Sequence, residues 1–183
     1  KIFRIYASVL FCCVAGVIWL CRPMMHLFKA EYYDGWTFVP FLTLCSMCTC
    51  LNQFLNSIYV VYKRSTGSLV TMLSGAVLNL ILNYCFIRLW GPWGVTPASF
   101  LGLLLVFLLR AYSTRGLLEV DFHPGWLLLN LGLVLAEIFC IMRLESWVLP
   151  VTALTATVCA INFREIFSML NKLVGKFLHR KKA

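Results

Sequence analysis

Apolar residues run through this chain in long blocks, separated by short polar punctuation. The first block extends from Phe3 to Phe28, follows Lys1 and Arg4, and holds Arg22-Pro23 in its last third. The second runs from Trp36 to Tyr62 and carries Asn52, Gln53 and Asn56. Its Pro40 falls in the first turn, where a missing backbone N–H is tolerated. The third, Ser68 to Trp90, is entered through Lys63 and Arg64 and left through Gly91-Pro92-Trp93-Gly94. A fourth block spans Pro97 to Tyr112, with Arg110 marking its end, and a polar connection from Ser113 to Gly125 follows it. The fifth, Trp126 to Met142, contains Asn130 and Glu137; a short turn, Arg143 to Ser146, leads to the sixth, Trp147 to Asn162. These blocks approach the roughly 20 residues that an α-helix needs to cross a bilayer. In hydrocarbon every backbone polar group must be satisfied internally, which a helix does. The pattern predicts an all-α, polytopic transmembrane helix bundle of six spans.

The last segment changes character. From Phe163 to Ala183, Ile166, Phe167, Leu170, Leu173, Val174, Phe177 and Leu178 recur at helical spacing, while Arg164, Lys172, Lys176 and Arg180-Lys181-Lys182 fall off that face. That predicts a basic amphipathic helix lying on an anionic leaflet.

Composition agrees with the pattern. Of 183 residues, 61% are hydrophobic, against about 45–50% in soluble domains. The formal charge of +9 would raise nucleic acid as a partner in a soluble protein. Here the cations fall at block ends and in the tail, so membrane topology accounts for them and no nucleic-acid partner is expected. One side collects Lys1, Arg4, Lys63, Arg64, Arg110, Arg115 and the tail; the other holds Lys29, Arg143, Arg22 and Arg88. The richer side is expected to be cytoplasmic, together with the C-terminus. Trp19, Trp36, Trp90, Trp93 and Trp147 then fall near the outer interface and Trp126 at the inner one. The chain opens at Lys1 without Met, and the expectation is the C-terminal part of a longer transporter, or a truncated gene product.

Candidate chemistry is sparse. The nine cysteines lie in apolar segments; Cys45-x-x-Cys48-x-Cys50 has no nearby His or second cysteine pair to complete a zinc site, so no metal is expected. His26, His123 and His179 lie at separate edges. No P-loop, nucleophile elbow, dinucleotide fingerprint or zinc-protease motif occurs, and an enzyme is not expected. What stands out is polarity inside apolar blocks. Asn79 and Asn83, four residues apart, share one helix face, and Asn52 and Asn56 repeat that spacing. Such amides either line a wet cavity or bond a neighbouring helix. Arg22 and Arg88 can bind an anion or reach to outer headgroups. Lys63 and Arg64 stand at the inner mouth, where an anion would be collected and where topology alone would also place them. Glu137 is a candidate proton relay or a structural hydrogen-bonding group.

Lys63-Arg64-Ser65-Thr66-Gly67, then Leu78-Asn79-Leu80-Ile81-Leu82-Asn83, then Gly91-Pro92-Trp93-Gly94-Val95 form a recognisable series. It resembles the oligosaccharide flippases, the O-antigen and capsule exporters of the multidrug/oligosaccharidyl-lipid/polysaccharide exporter superfamily. The stretch from His26 to Trp36, after Arg22-Pro23, resembles a junction of the same family. The resemblance implies that residues 1–112 are the last four helices of the second transporter lobe, 113–162 a cytoplasmic loop and two additional C-terminal spans, and 163–183 a cytoplasmic tail. It implies a bacterial inner-membrane protein that flips a lipid-linked oligosaccharide by alternating access, for surface polysaccharide such as lipopolysaccharide O-antigen. The implied substrate is carried on undecaprenyl diphosphate, with a polysaccharide polymerase and glycosyltransferases as further partners and no cofactor. The implied cavity residues are Asn79, Asn83, Asn52, Asn56, Arg22, Lys63, Arg64 and Arg88. A multidrug antiporter of the same superfamily would favour acids in the cavity, and the first four blocks contain none. An accessory membrane protein without transport is the remaining alternative.

Overall fold

The structure is a computed structural model that describes residues 2–25, 35–63, 65–114, 123–144 and 146–180. Every regular element among these residues is helical. Six α-helices follow in order: α1 (Ile2–Met25), α2 (Val39–Val61), α3 (Ser65–Trp90), α4 (Val95–Thr114), α5 (Pro124–Arg143) and α6 (Val148–Arg180). A 3-10 turn at Gly91–Gly94 joins α3 to α4. Among the described residues, four helical stretches are long and apolar enough to cross a bilayer: Ile2–Met25, Gly35–Val61, Thr66–Thr114 and Pro124–Arg143. The third of these contains both α3 and α4.

The helix ends follow local chemistry. A 3-10 turn beginning at Gly35 leads into α2, whose Pro40 sits in the first turn. The helix ends at Val61 with Tyr62 as its cap, and the following Lys63 adopts the left-handed conformation (φ 52°) while its N–H closes on the Val60 carbonyl at 3.1 Å. Between α3 and α4, Gly91 takes φ +63°, a region that costs other residues about 1–2 kcal/mol. Pro124 opens α5 after His123 at φ 42°. The sixth block and the tail, expected as two elements, form the single 33-residue helix α6. Pro150 lies in its first turn, and no proline follows to interrupt it.

The chain divides into two compact units, residues 21–121 and residues 1–20 with 122–183, the boundary falling inside α1. In the first, α2, α3 and α4 pack on one another. Cys45 on α2 donates to the Thr96 carbonyl and Asn52 to the Leu103 carbonyl, both 51 residues ahead, so α2 and α4 run parallel. Gly75 faces Val106, Asn79 faces Gly102 and Phe86 faces Gly94, so α3 runs antiparallel to α4. The starts of α2 and α4 therefore lie at one end with the close of α3. There Phe38 stacks on Trp93, centroids 4.5 Å apart. Gly94 permits the tight return: a Cβ added to it would lie 2.4 Å from the Phe86 carbonyl oxygen.

In the second unit α5 and α6 are antiparallel, as the pairs Asn130–Asn162 and Glu137–Thr155 require. The first part of α1 lies against both. Arg4 pairs with Glu165 at 3.2 Å, and Phe11 meets Trp126 edge-on at 5.8 Å.

Arg64, the junction residues 26–34, residues 115–122 of the polar connection and residues 181–183 of the basic tail lie outside the described residues.

Candidate functional site

A cavity of about 580 Å³ opens between α2, α3 and α4, wholly within residues 21–121. Its polar wall comes from Asn52 and Asn56 on α2, Ser68 and Asn79 on α3, and Arg110 on α4, with Gln53 beside them. Met72, Leu80, Leu103 and Val106 supply apolar wall. The spacing explains the assembly. Thr49, Asn52, Gln53 and Asn56 recur at three and four residues on α2, as do Ser68, Met72, Gly75, Ala76 and Asn79 on α3. Small residues on the α3–α4 seam let the backbones approach: a Cβ on Gly75 would fall 1.9 Å from Val106 Cγ2.

Arg110 organises this wall. It is 5% exposed. Its Nη1 donates to the Asn52 carbonyl at 2.8 Å, its Nε to Thr71 Oγ1 at 3.2 Å and its Nη2 to Ser68 Oγ at 3.3 Å. Ser68 passes the polarity on, donating to Asn56 Oδ1 at 2.5 Å. Thr71 donates back to the carbonyls of Gly67 and Ser68, at 3.0 and 2.9 Å, which leaves its oxygen free to accept from Arg110. The guanidinium thus ties α4 to both α2 and α3. Every acceptor it uses is neutral. Among the described residues of this unit there is no Asp or Glu. A guanidinium has five N–H donors, and these three bonds leave two. The site is a buried cation, ringed by amides and hydroxyls, on the wall of a cavity. Such an arrangement suits an anion that accepts several hydrogen bonds at once.

No family model, no curated protein and no solved structure matches this chain.

The residues singled out from sequence divide into three groups. Asn52, Asn56 and Asn79 meet at the cavity. Asn52 gives its Nδ2 to the Leu103 carbonyl at 3.0 Å, while its Oδ1 is buried with no hydrogen-bond partner. Asn83 stays on its own helix: it donates to Asn79 Oδ1 at 2.7 Å and to the Asn79 carbonyl at 2.9 Å, and so orients Asn79 from behind without lining the cavity.

The second group stands away from the cavity. Arg22 lies 3.9 Å over the Trp36 ring and Arg88 4.6 Å over Tyr84, both as cation–π contacts. Lys63 is exposed in the α2–α3 turn. Third, Glu137 belongs to the other unit, fully buried against α6.

Arg110, read from sequence only as the edge of a span, is the residue that reasoning missed, together with Ser68 and Thr71. A signal for it exists. Gly102, Val106 and Arg110 repeat every four residues, placing the cation on the same face as the glycine of close packing and not on the lipid face.

Proposed function

We propose that this chain forms part of an inner-membrane transporter that moves a lipid-linked oligosaccharide from the cytoplasmic to the outer leaflet. Arg110 carries the reading: a buried guanidinium with neutral ligands and two donors to spare, on the wall of a cavity between apolar helices. The head of such a substrate combines a diphosphate with sugar hydroxyls. The diphosphate offers the acceptors a guanidinium requires. The sugar offers donors and acceptors that Asn52, Asn56, Gln53 and Asn79 can answer. The polyprenyl tail stays in the bilayer, and rocking of the helices around the site exposes it to either side. No covalent chemistry is needed. The absence of acid among the described residues of this unit favours an anionic cargo over the cationic drugs of the related antiporters. Lys63 stands at the turn between α2 and α3, the end towards which the Arg110 network also lies. By the distribution of Lys and Arg, that end faces the cytoplasm, where the substrate is loaded.

The test compares surface polysaccharide and lipid-linked intermediates in a strain deleted for the gene and complemented with wild type or Arg110→Gln. Loss of surface glycan with intermediates held on the cytoplasmic leaflet, rescued by wild type and not by Arg110→Gln, supports the reading. Normal glycan with sensitivity to cationic drugs refutes it in favour of an antiporter.

A further inference from the structure

The unit formed by residues 1–20 and 122–183 contains a carboxyl that the transport reading leaves without a task. Glu137 is fully buried on α5. Its Oε1 lies 2.6 Å from Thr155 Oγ1 on α6. The same Thr155 oxygen lies 2.8 Å from the carbonyl of Val151. A threonine hydroxyl has one proton to give, and a backbone carbonyl can only accept. A shared proton would leave both contacts weakened; each is a full two-centre hydrogen bond when Thr155 donates to Val151 and accepts from Glu137. A carboxyl donates only when it carries its proton. The other carboxyl oxygen, Oε2, is buried and has no hydrogen-bond partner. That suits the carbonyl oxygen of a neutral acid, since half of an ionic charge left bare in an apolar interior is costly.

Among the described residues the surroundings supply no ionic partner. On the part of α1 that belongs to this unit, residues 2–20, the titratable side chains are Arg4, Tyr6, Cys12 and Cys13; Arg4 is bound to Glu165, and Cys12 lies beside Cys159. On α6 as far as Phe167 they are Cys159, Arg164 and Glu165, and on α5 itself Cys140 and Arg143. Among the described residues none of these forms an ion pair with the Glu137 carboxyl, and the side chain hydrogen-bonded to it is Thr155. The layers on either side are apolar, with Val134 and Val158 towards one end and Ile141 and Val151 towards the other, all at most 0% exposed.

We propose that Glu137 is a single-proton binding site between α5 and α6, switched through Thr155. In the loaded form the bonds run from Glu137 O–H to Thr155, and from Thr155 O–H to the Val151 carbonyl. On release the Glu137 O–H bond breaks and its proton passes to water. The Thr155 hydroxyl then turns to donate to the carboxylate, and its bond to Val151 is given up. One proton therefore sets which hydrogen bonds hold this part of α6 to itself and to α5. This inference stands on the α5–α6 geometry alone and is independent of the anion cavity in the other unit.

The experiment is infrared difference spectroscopy of the full chain in proteoliposomes, following the carbonyl stretch of protonated carboxylic acids through a pH titration. At neutral pH a protonated-acid band is expected, which deuterium exchange shifts and Glu137→Gln abolishes. Thr155→Val keeps the band but moves it to the frequency of a carboxyl without a hydrogen-bonded hydroxyl, while Thr155→Ser leaves it in place. Titration to alkaline pH removes the band from the wild type. A spectrum without the band at neutral pH, a band that survives Glu137→Gln, or a band unmoved by Thr155→Val would each overturn the proposal. So would a band that persists unchanged to alkaline pH, because the proton would then never leave.

Discussion

Arg110 and Asn52 bind each other's helices reciprocally. Arg110 on α4 donates to the Asn52 carbonyl on α2 at 2.8 Å, and Asn52 donates through its side chain to the Leu103 carbonyl on α4 at 3.0 Å. The two bonds lie two turns apart along α4 and fix the register of the parallel pair. They also hold the guanidinium at the cavity wall instead of letting it extend to the membrane surface, the usual course for an arginine near the end of a span.

Arg110→Lys should therefore not be conservative. An ammonium has three donors on a flexible stem and cannot reproduce the planar fork that reaches Asn52, Thr71 and Ser68 together. Hydrogen bonds involving a charged group are worth about 1.5–3 kcal/mol each. The expected loss of unfolding free energy is on the order of 2 kcal/mol for Arg110→Lys and more for Arg110→Ala. Unfolding of the reconstituted chain checks this. An unchanged stability for Arg110→Ala would mean that the guanidinium does not bridge the three helices.

How much of this was legible in the sequence depends on the residue. The helices were, because long apolar blocks admit no other structure in a bilayer. The α3–α4 return was, because Gly91-Pro92-Trp93-Gly94 can do little but turn. Asn52, Asn56 and Asn79 were visible as polar positions on apolar faces, and they do meet at one cavity. Arg110 was not. An arginine near a helix end has two destinations, and hydropathy cannot distinguish a side chain that reaches outward from one folded back onto Asn52. The pairing of Asn130 with Asn162 was equally hidden, since it depends on which helices become neighbours. The length of α6 was misjudged for another reason. Basic residues after Asn162 change which solvent the helix faces, but they do not end it.

The turn between α3 and α4 makes a second prediction. A Cβ at Gly94 would lie 2.4 Å from the Phe86 carbonyl oxygen and 2.5 Å from its carbon, both backbone atoms that cannot rotate away. Gly94→Ala should cost about 1–3 kcal/mol, the range for forced overpacking. At Gly91 a Cβ meets nothing within 4 Å, and the cost of Gly91→Ala is only that of positive φ, about 1–2 kcal/mol. Thermal unfolding of the two variants in the same bilayer mimic compares them. Two neutral substitutions would mean that α3 and α4 do not return as described.

The Asn130–Asn162 pair offers a third. Asn162 donates to Asn130 Oδ1 at 2.6 Å and to its own Val158 carbonyl at 2.8 Å, while Asn130 donates to the Trp126 carbonyl at 2.9 Å. A double-mutant cycle with Asn130→Leu and Asn162→Leu should give a coupling of about 0.6 kcal/mol, the average for such pairs in membranes. Additive effects would mean the two amides do not share a bond.

The register of α1 on α6 is open to a fourth test. Cys12 lies beside Cys159, and Arg4 pairs with Glu165, so the two helices are antiparallel at these levels. In a chain whose seven other cysteines are replaced, mild oxidation should join residues 12 and 159 within one molecule, detectable by mass spectrometry. The control pair Cys13 and Cys159 should not join, because Cys13 lies 100° around α1 from Cys12.

The most direct measurement for the proposed anion-binding role of the cavity is the affinity of the chain in nanodiscs for a polyprenyl diphosphate, beside the same polyprenol without phosphate. Preference for the diphosphate is expected, together with a roughly tenfold or greater loss of that preference in Arg110→Gln, as the removal of one charged hydrogen-bond donor requires. Equal affinity for the two lipids, or a preference that Arg110→Gln leaves intact, would contradict an anion site at Arg110 and with it the transport of a diphosphate-linked cargo.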